Sequence, residues 1–409
     1  MNKDHFGYYL VGTHKTYSKI EALELAHSLN VGIKWSFNET VFDNHPWHID
    51  TKQDIKQLYK KRAEQIRHKY DYIVLWYSGG ADSFTMTNTF KENNIHVDEI
   101  AQFHAYEGEK SWDSFLNKEV AEVAIPQTKE FLKAMPHTKH RLVDLSPIQK
   151  TVFDHDNNKL DFIYKSNNSF GPHQMARTYL RETVEEWKQI IASGKKLCFV
   201  WAHDKPQVNY DSALDKYFLN FIDTIDGGGV GPRIQIENKQ EYNDEFFYWS
   251  PDAVDVLARQ AHIVVNYLRN PPKEDLDSAY LTTDPYSYTL SYTGEYIPKL
   301  VRRPSTIINN ISYYLTSEGM HRLIYPDFPL TTFSLGKNFG WIFGPRDRWW
   351  FNAHREKDQS MFIGAMESLY KKFTKAGFTN HRELKNDVDL DFRLLNLDLC
   401  RSKSYFLEI

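Results

Sequence analysis

Apolar residues fall along this chain in short unbroken runs set between amphipathic stretches, the pattern of buried parallel strands alternating with helices. Tyr72-Ile73-Val74-Leu75-Trp76-Tyr77 is such a run and reads as a central strand. Phe84-Thr85-Met86-Thr87-Asn88-Thr89-Phe90 opens a helix after it. Further strands are predicted over 97–103, 140–145 and 197–202, with helices over 117–135 and 174–193 and Gly194 as C-terminal cap of the latter. Upstream, Tyr8-Tyr9-Leu10-Val11 reads as a strand. Ile20, Leu23, Leu25, Ala26 and Leu29 mark one face of a helix over 19–29, and a charged helix over 50–69 leads into the central strand.

Past residue 205 the alternation loosens. A strand is expected over 217–225, then a glycine-rich loop from Asp226 to Arg233 that fits neither a Walker motif nor G-x-G-x-x-G. Ser250-Pro251-Asp252 has the cap, first-turn proline and acidic residue of a helix start, and that helix is expected to reach Leu268 before Asn270-Pro271-Pro272. A last helix is predicted over 360–376. The fold class expected is α/β, a doubly wound and mainly parallel sheet with N-terminal and C-terminal additions. The domains drawn from this pattern are 1–66 (accessory), 67–270 (nucleotide-binding α/β unit) and 271–409 (an α+β region for a substrate or partner).

Composition narrows the classes. With 409 residues the chain can bury a large core, and its net charge of −4 gives no footprint for bulk nucleic-acid binding. Two cysteines, Cys198 and Cys400, provide no disulfide framework. No run approaches the roughly 20 apolar residues of a membrane span, and no signal-peptide core follows Met1. A cytoplasmic protein without membrane contact is expected, and a homodimer is compatible with the sequence. Histidine spacings such as His137-x-x-His140 match no zinc signature.

Chemistry concentrates where the central strand ends, in Ser78-Gly79-Gly80-Ala81-Asp82-Ser83. Two glycines let the backbone turn sharply and approach a ligand, while the first N–H groups of the following helix point out unpaired with the positive end of its dipole. Ser78 and Ser83 add hydroxyls at either end of the loop. Asp82 would repel a phosphate unless a cation lay between them, so it reads as a Mg²⁺ ligand or as a cap on the helix.

Ser-Gly-Gly-x-Asp-Ser after an apolar strand resembles the signature of the PP-loop family, the N-type ATP pyrophosphatases with the adenine nucleotide α-hydrolase-like fold. These include the synthetase domains of GMP synthase and asparagine synthetase, tRNA lysidine synthetase, 7-cyano-7-deazaguanine synthase and the phosphoadenosine-phosphosulfate reductases. The resemblance covers about 70–270. It implies that Ser78, Gly79, Gly80, Ala81, Asp82 and Ser83 hold the pyrophosphate of ATP, and that ATP is cleaved between its α- and β-phosphates to adenylate an acceptor.

Other candidates follow from position. Asp204-Lys205 leaves the strand predicted over 197–202 and could provide a second Mg²⁺ ligand and a catalytic cation; the alternative is a surface ion pair. Arg177, and Arg181 behind it, lies on the helix after Ser169-Phe170-Gly171-Pro172 and could reach phosphate, or could sit on a solvated face. Pro345 to Phe351 reads as a packing segment before a binding patch. Residues 1–66 are too short for a glutaminase domain and contain no cysteine nucleophile. Cys400 lies in Asp398-Leu399-Cys400-Arg401, unlike a reductase context, which sets sulfonucleotide reduction and sulfur transfer behind the other readings. The leading expectation is an AMP-forming ligase using ATP and Mg²⁺, in which a carboxylate or carbonyl acceptor is adenylated and then attacked by an amine or ammonia. Modification of a nucleobase or nucleotide, and non-catalytic regulatory nucleotide binding, stand as alternatives.

Overall fold

The computed structural model describes residues 4, 7–17, 19–104, 120–144, 184–203, 206, 208–221, 223, 243–270, 288–290, 296–298, 323–328 and 400–409. The described residues up to 36 include β1 (Tyr8–Val11), β2 (His14–Thr16) and β3 (Ile33–Ser36), in an antiparallel sheet of order β2-β1-β3. Helix α1 (Lys19–Leu29) joins β2 to β3, and α2 is the single turn Glu39–Phe42.

Helix α3 (Ile55–Lys69) starts where the Asp54 carboxylate accepts the Lys56 N–H at 3.0 Å. It buries Ile55, Leu58, Tyr59, Ala63 and Ile66 at helical spacing and ends in Arg67, His68 and Lys69, which suits its dipole. From there β4 (Tyr72–Trp76), α4 (Ala81–Glu92), β5 (Glu99–His104), α5 (Ile125–Ala134), β6 (Lys139–Asp144), α6 (Glu185–Ala192) and β7 (Leu197–Trp201) alternate. A hairpin of β8 (Val208–Asp211) and β9 (Lys216–Leu219) interrupts the series before β10 (Asn243–Phe246) and α7 (Val254–Arg269). Strands β11 (Tyr288–Leu290) and β12 (Tyr296–Pro298) pair with each other, and β13 (Tyr405–Phe406) adds to β9.

The main sheet has the order β10-β7-β4-β5-β6, and all of its pairs are parallel. Helices lie on both faces. On one, Trp187 of α6 packs edge-on against Trp76 and Phe199 at 5.7 and 4.8 Å. On the other, Phe131 of α5 meets Tyr77 at 5.6 Å, and Arg62 of α3 bonds Glu245 of β10 at 2.8 Å. The succession predicted from the apolar runs is therefore an α/β sheet. One buried cluster runs from Tyr9, Trp35 and Phe42 through Ile73–Trp76 to Trp249 and Tyr405, so both chain ends pack into the core that holds the main sheet. Among the described residues no helix is long and apolar enough to cross a membrane.

Several elements differ from the sequence reading. The helix expected over 117–135 is, over its described part, a π-turn at Val120–Ala124 followed by α5. The helix expected from 174 to 193 begins, within the described residues, only at Glu185, because Val184 is extended and turned into the core. Gly194 does follow it with φ +83°. The strand expected over 217–225 is β9, shorter and paired in a hairpin. Strand β10 was not anticipated. Ser250 caps as expected, accepting the Asp252 N–H at 3.2 Å, but the first turn is 3₁₀ before α7 begins. The helix over 360–376, the 226–233 loop with Arg233 and the 345–351 segment lie outside the described residues.

Candidate functional site

The order of the main sheet reverses at β4. The chain moves outward through β5 and β6, then returns to lay β7 and β10 on the opposite side of β4. Beyond the carboxyl end of β4 is thus the topological switch point, where an open α/β sheet leaves a crevice for ligands. Ser78 to Ser83 occupies that point.

Each part of the loop has a local cause. Gly79 has φ +87°, a region costly for any side chain, and it is packed so closely that a Cβ there would lie 3.1 Å from Val123 Cγ1 and 3.2 Å from Ala124 Cα. The turn Val120–Ala124 is the floor on which the loop rests. Gly80 is the N-cap of α4 and gives its carbonyl to the Phe84 N–H at 2.9 Å, but it has no side chain to cap the first turn. Among the described residues no side chain caps this helix start, which sets the positive end of the dipole at the loop. Ser83 Oγ accepts the Ser78 N–H at 3.2 Å, and the two serine hydroxyls stand 3.1 Å apart. Ser83 is buried and also lies 3.1 Å from the Gly80 carbonyl, whereas Ser78 is exposed and its Oγ accepts the Gly80 N–H at 3.4 Å. Hydroxyls rotate to suit a partner, so this pair can turn its hydrogens to an anion. The donor set and the glycine cradle fit a phosphate group.

Asp82 sits half-buried in the first turn of α4. Two phenols converge on it. Tyr248, in the segment after β10, donates to the Asp82 carbonyl oxygen at 2.9 Å, and Tyr325 donates to Asp82 Oδ1. Tyr325 is fully buried, and burial, followed by the Asp82 charge, drives its hydroxyl well above the ordinary tyrosine pKa, so it remains a donor. A hydrogen bond from a buried phenol to a charged carboxylate is worth about 1.5–3 kcal/mol. Tyr59 extends the cluster, donating to the Ile324 carbonyl at 2.7 Å and accepting from Gln260 Nε2 at 2.9 Å. As a hard oxygen anion beside an anion cradle, Asp82 has the chemistry to hold Mg²⁺.

The neighbouring strand ends complete the edge. β7 pairs directly with β4, so Ala202 and His203 leave the sheet beside the loop, and the His203 ring packs between Phe246 and Trp249 at 5.1 and 4.9 Å. At the far side of β5, His104 Nδ1 lies 3.5 Å from Asp144 Oδ1. Trp76 stacks on Trp201 at 5.3 Å, forming the aromatic layer beneath this edge.

Of the residues proposed from sequence, Ser78, Gly79, Gly80, Ala81, Asp82 and Ser83 are brought together in one loop. Asp204, Lys205 and Arg177 lie outside the described residues, as does Arg181. Tyr248, Tyr325, Val123 and Ala124 were not anticipated. Tyr248 belongs to the aromatic run Phe246-Phe247-Tyr248-Trp249, which reads as core, and nothing local to Tyr325 signals a contact with a residue 243 positions away. Comparison with known protein-family models and with curated proteins finds no match for the chain.

Proposed function

We propose that this protein is an AMP-forming ligase of the PP-loop, N-type ATP pyrophosphatase kind, with the adenine nucleotide α-hydrolase-like fold. The observation that carries the reading is the placement of the Ser78–Ser83 loop, a glycine cradle with an uncapped helix start, at the switch point of a parallel sheet. ATP binds with its β- and γ-phosphates in that loop. An acceptor carboxylate or carbonyl oxygen attacks the α-phosphorus, the bond from that phosphorus to the bridging oxygen breaks, and pyrophosphate takes the electron pair. The negative charge then grows on the fragment that the α4 N–H groups and the two serine hydroxyls already address, where donors fixed beforehand are most effective. An amine or ammonia displaces AMP in the second step. Asp82, with Asp204 from outside the described residues, would hold Mg²⁺, which would supply positive charge against the leaving group. Lys205 and Arg177, outside the described residues, are the further cations the sequence offers for the phosphates.

The test is nucleotide analysis by ion exchange after incubating the protein with ATP, Mg²⁺ and a metabolite extract. AMP and pyrophosphate are expected, and Asp82→Asn should lower turnover by roughly two orders of magnitude with the fold retained, because a charged metal ligand becomes a neutral amide. ADP as the sole product contradicts the reading. Tight ATP binding without turnover points to a regulatory protein.

A further inference from the structure

Residues 323–328 come to the loop from far along the chain and are anchored on three sides. Lys56 Nζ meets Asp327 Oδ1 at 2.7 Å, Tyr59 donates to the Ile324 carbonyl at 2.7 Å, and the Phe328 ring lies 5.4 Å from that of Phe84 on α4. Ile324, Tyr325 and Phe328 belong to the main core. This segment is therefore held against α3 and α4 independently of what it does to the loop. Its one hydroxyl is delivered to Asp82 Oδ1. Tyr248, whose ring centre is 5.7 Å from that of Tyr325, holds the same residue by its backbone carbonyl. Packing alone would be met by phenylalanine at 325. A buried hydroxyl needs a partner, and here that partner is the carboxylate of the loop.

We propose that Tyr325 is a positioning residue: its hydroxyl fixes the rotamer of the Asp82 carboxylate for a divalent cation that binds together with the nucleotide. This rests on the ATP reading above. Second partners of ligating carboxylates orient them, and their loss commonly lowers metal affinity by about 10–100-fold.

The experiment titrates the full chain calorimetrically with α,β-methylene-ATP, with and without Mg²⁺. In wild type, Mg²⁺ should strengthen binding. Tyr325→Phe should lose about 10–100-fold of affinity with Mg²⁺ present and none without it. The loss should vanish when both proteins also carry Asp82→Asn, since the phenol then has no carboxylate to orient. A loss of equal size with and without Mg²⁺, or one that persists beside Asp82→Asn, overturns the positioning role in favour of simple packing. Mg²⁺-dependent binding that Tyr325→Phe leaves unmoved overturns the proposal while the ATP reading stands. A wild-type protein that binds no analogue under either condition overturns both. Should Tyr325→Phe not fold, Phe328→Leu loosens the same segment with both bonded groups intact; the same metal-selective loss is expected, and an unchanged affinity overturns the proposal.

Discussion

Gly79 is the residue on which the loop's shape turns, because its φ of +87° strains any side chain and a Cβ there, 3.1 Å from Val123 Cγ1, would force the neighbouring turn to give by a few tenths of an ångström. Gly79→Ala should cost about 1–3 kcal/mol from backbone strain alone, with the crowding against Ala124 added. A urea denaturation series reads that cost, and a binding titration with α,β-methylene-ATP should show weaker binding, since the cradle must open to admit the methyl group. An unchanged midpoint and affinity would contradict the geometry. The need for glycine here was legible in the sequence, because two adjacent glycines between an apolar run and a helix have few other uses. The company of Asp82 was not. Its phenolic partners come from residues 248 and 325, and a contact across such separations leaves no trace in local spacing.

Strand β10 shows why an element can be hidden. Asn243-Asp244-Glu245-Phe246 has three polar residues in four, yet Asp244 and Glu245 are fully buried in the sheet. Both carboxylates accept hydrogen bonds from other elements. Glu245 accepts from Arg62 at 2.8 Å, Lys69 at 2.7 Å and Tyr70 at 2.6 Å, and Asp244 accepts from Trp201 Nε1 at 2.8 Å. Helix α3 is expected from sequence as a charged helix over 50–69 and begins five residues later, after the Asp54 cap; that its buried face carries the arginine paired with Glu245 of β10 is not legible there. Arg62→Ala removes the buried guanidinium from Glu245 and leaves that carboxylate the part-exposed Lys69 ammonium and the Tyr70 hydroxyl, so the variant should destabilise by up to about 3–5 kcal/mol in urea denaturation. A change below about 1 kcal/mol, the scale of an exposed pair, would show that the ion pair does not hold β10 in the sheet. The contrast with β4 is physical: the side chains from Ile73 to Leu75 are buried by their own apolarity and need no polar partner.

At the scale of the molecule, the alternation of strands and helices was readable from the apolar runs, whereas the strand order was not. Parallel order depends on the direction each crossover takes, and no residue in β5 or β7 encodes on which side of β4 it will lie. The order β10-β7-β4-β5-β6, with β5 and β7 on opposite sides of β4, places the Ser78 loop at a crevice. The added hairpin and the chain end are equally nonlocal: Asp223 accepts from Tyr9 at 2.8 Å and from the Cys400 N–H at 2.9 Å, tying both ends of the chain to the segment after β9. In the proposed reaction this crevice holds pyrophosphate as the leaving group of attack at the α-phosphorus. Exchange of labelled pyrophosphate into ATP tests it most directly, run with the full chain, Mg²⁺ and a metabolite extract that contains the acceptor. Label should enter ATP, and Gly79→Ala should suppress it. Exchange of labelled phosphate instead, or no exchange from pyrophosphate while the protein converts ATP, would contradict the account.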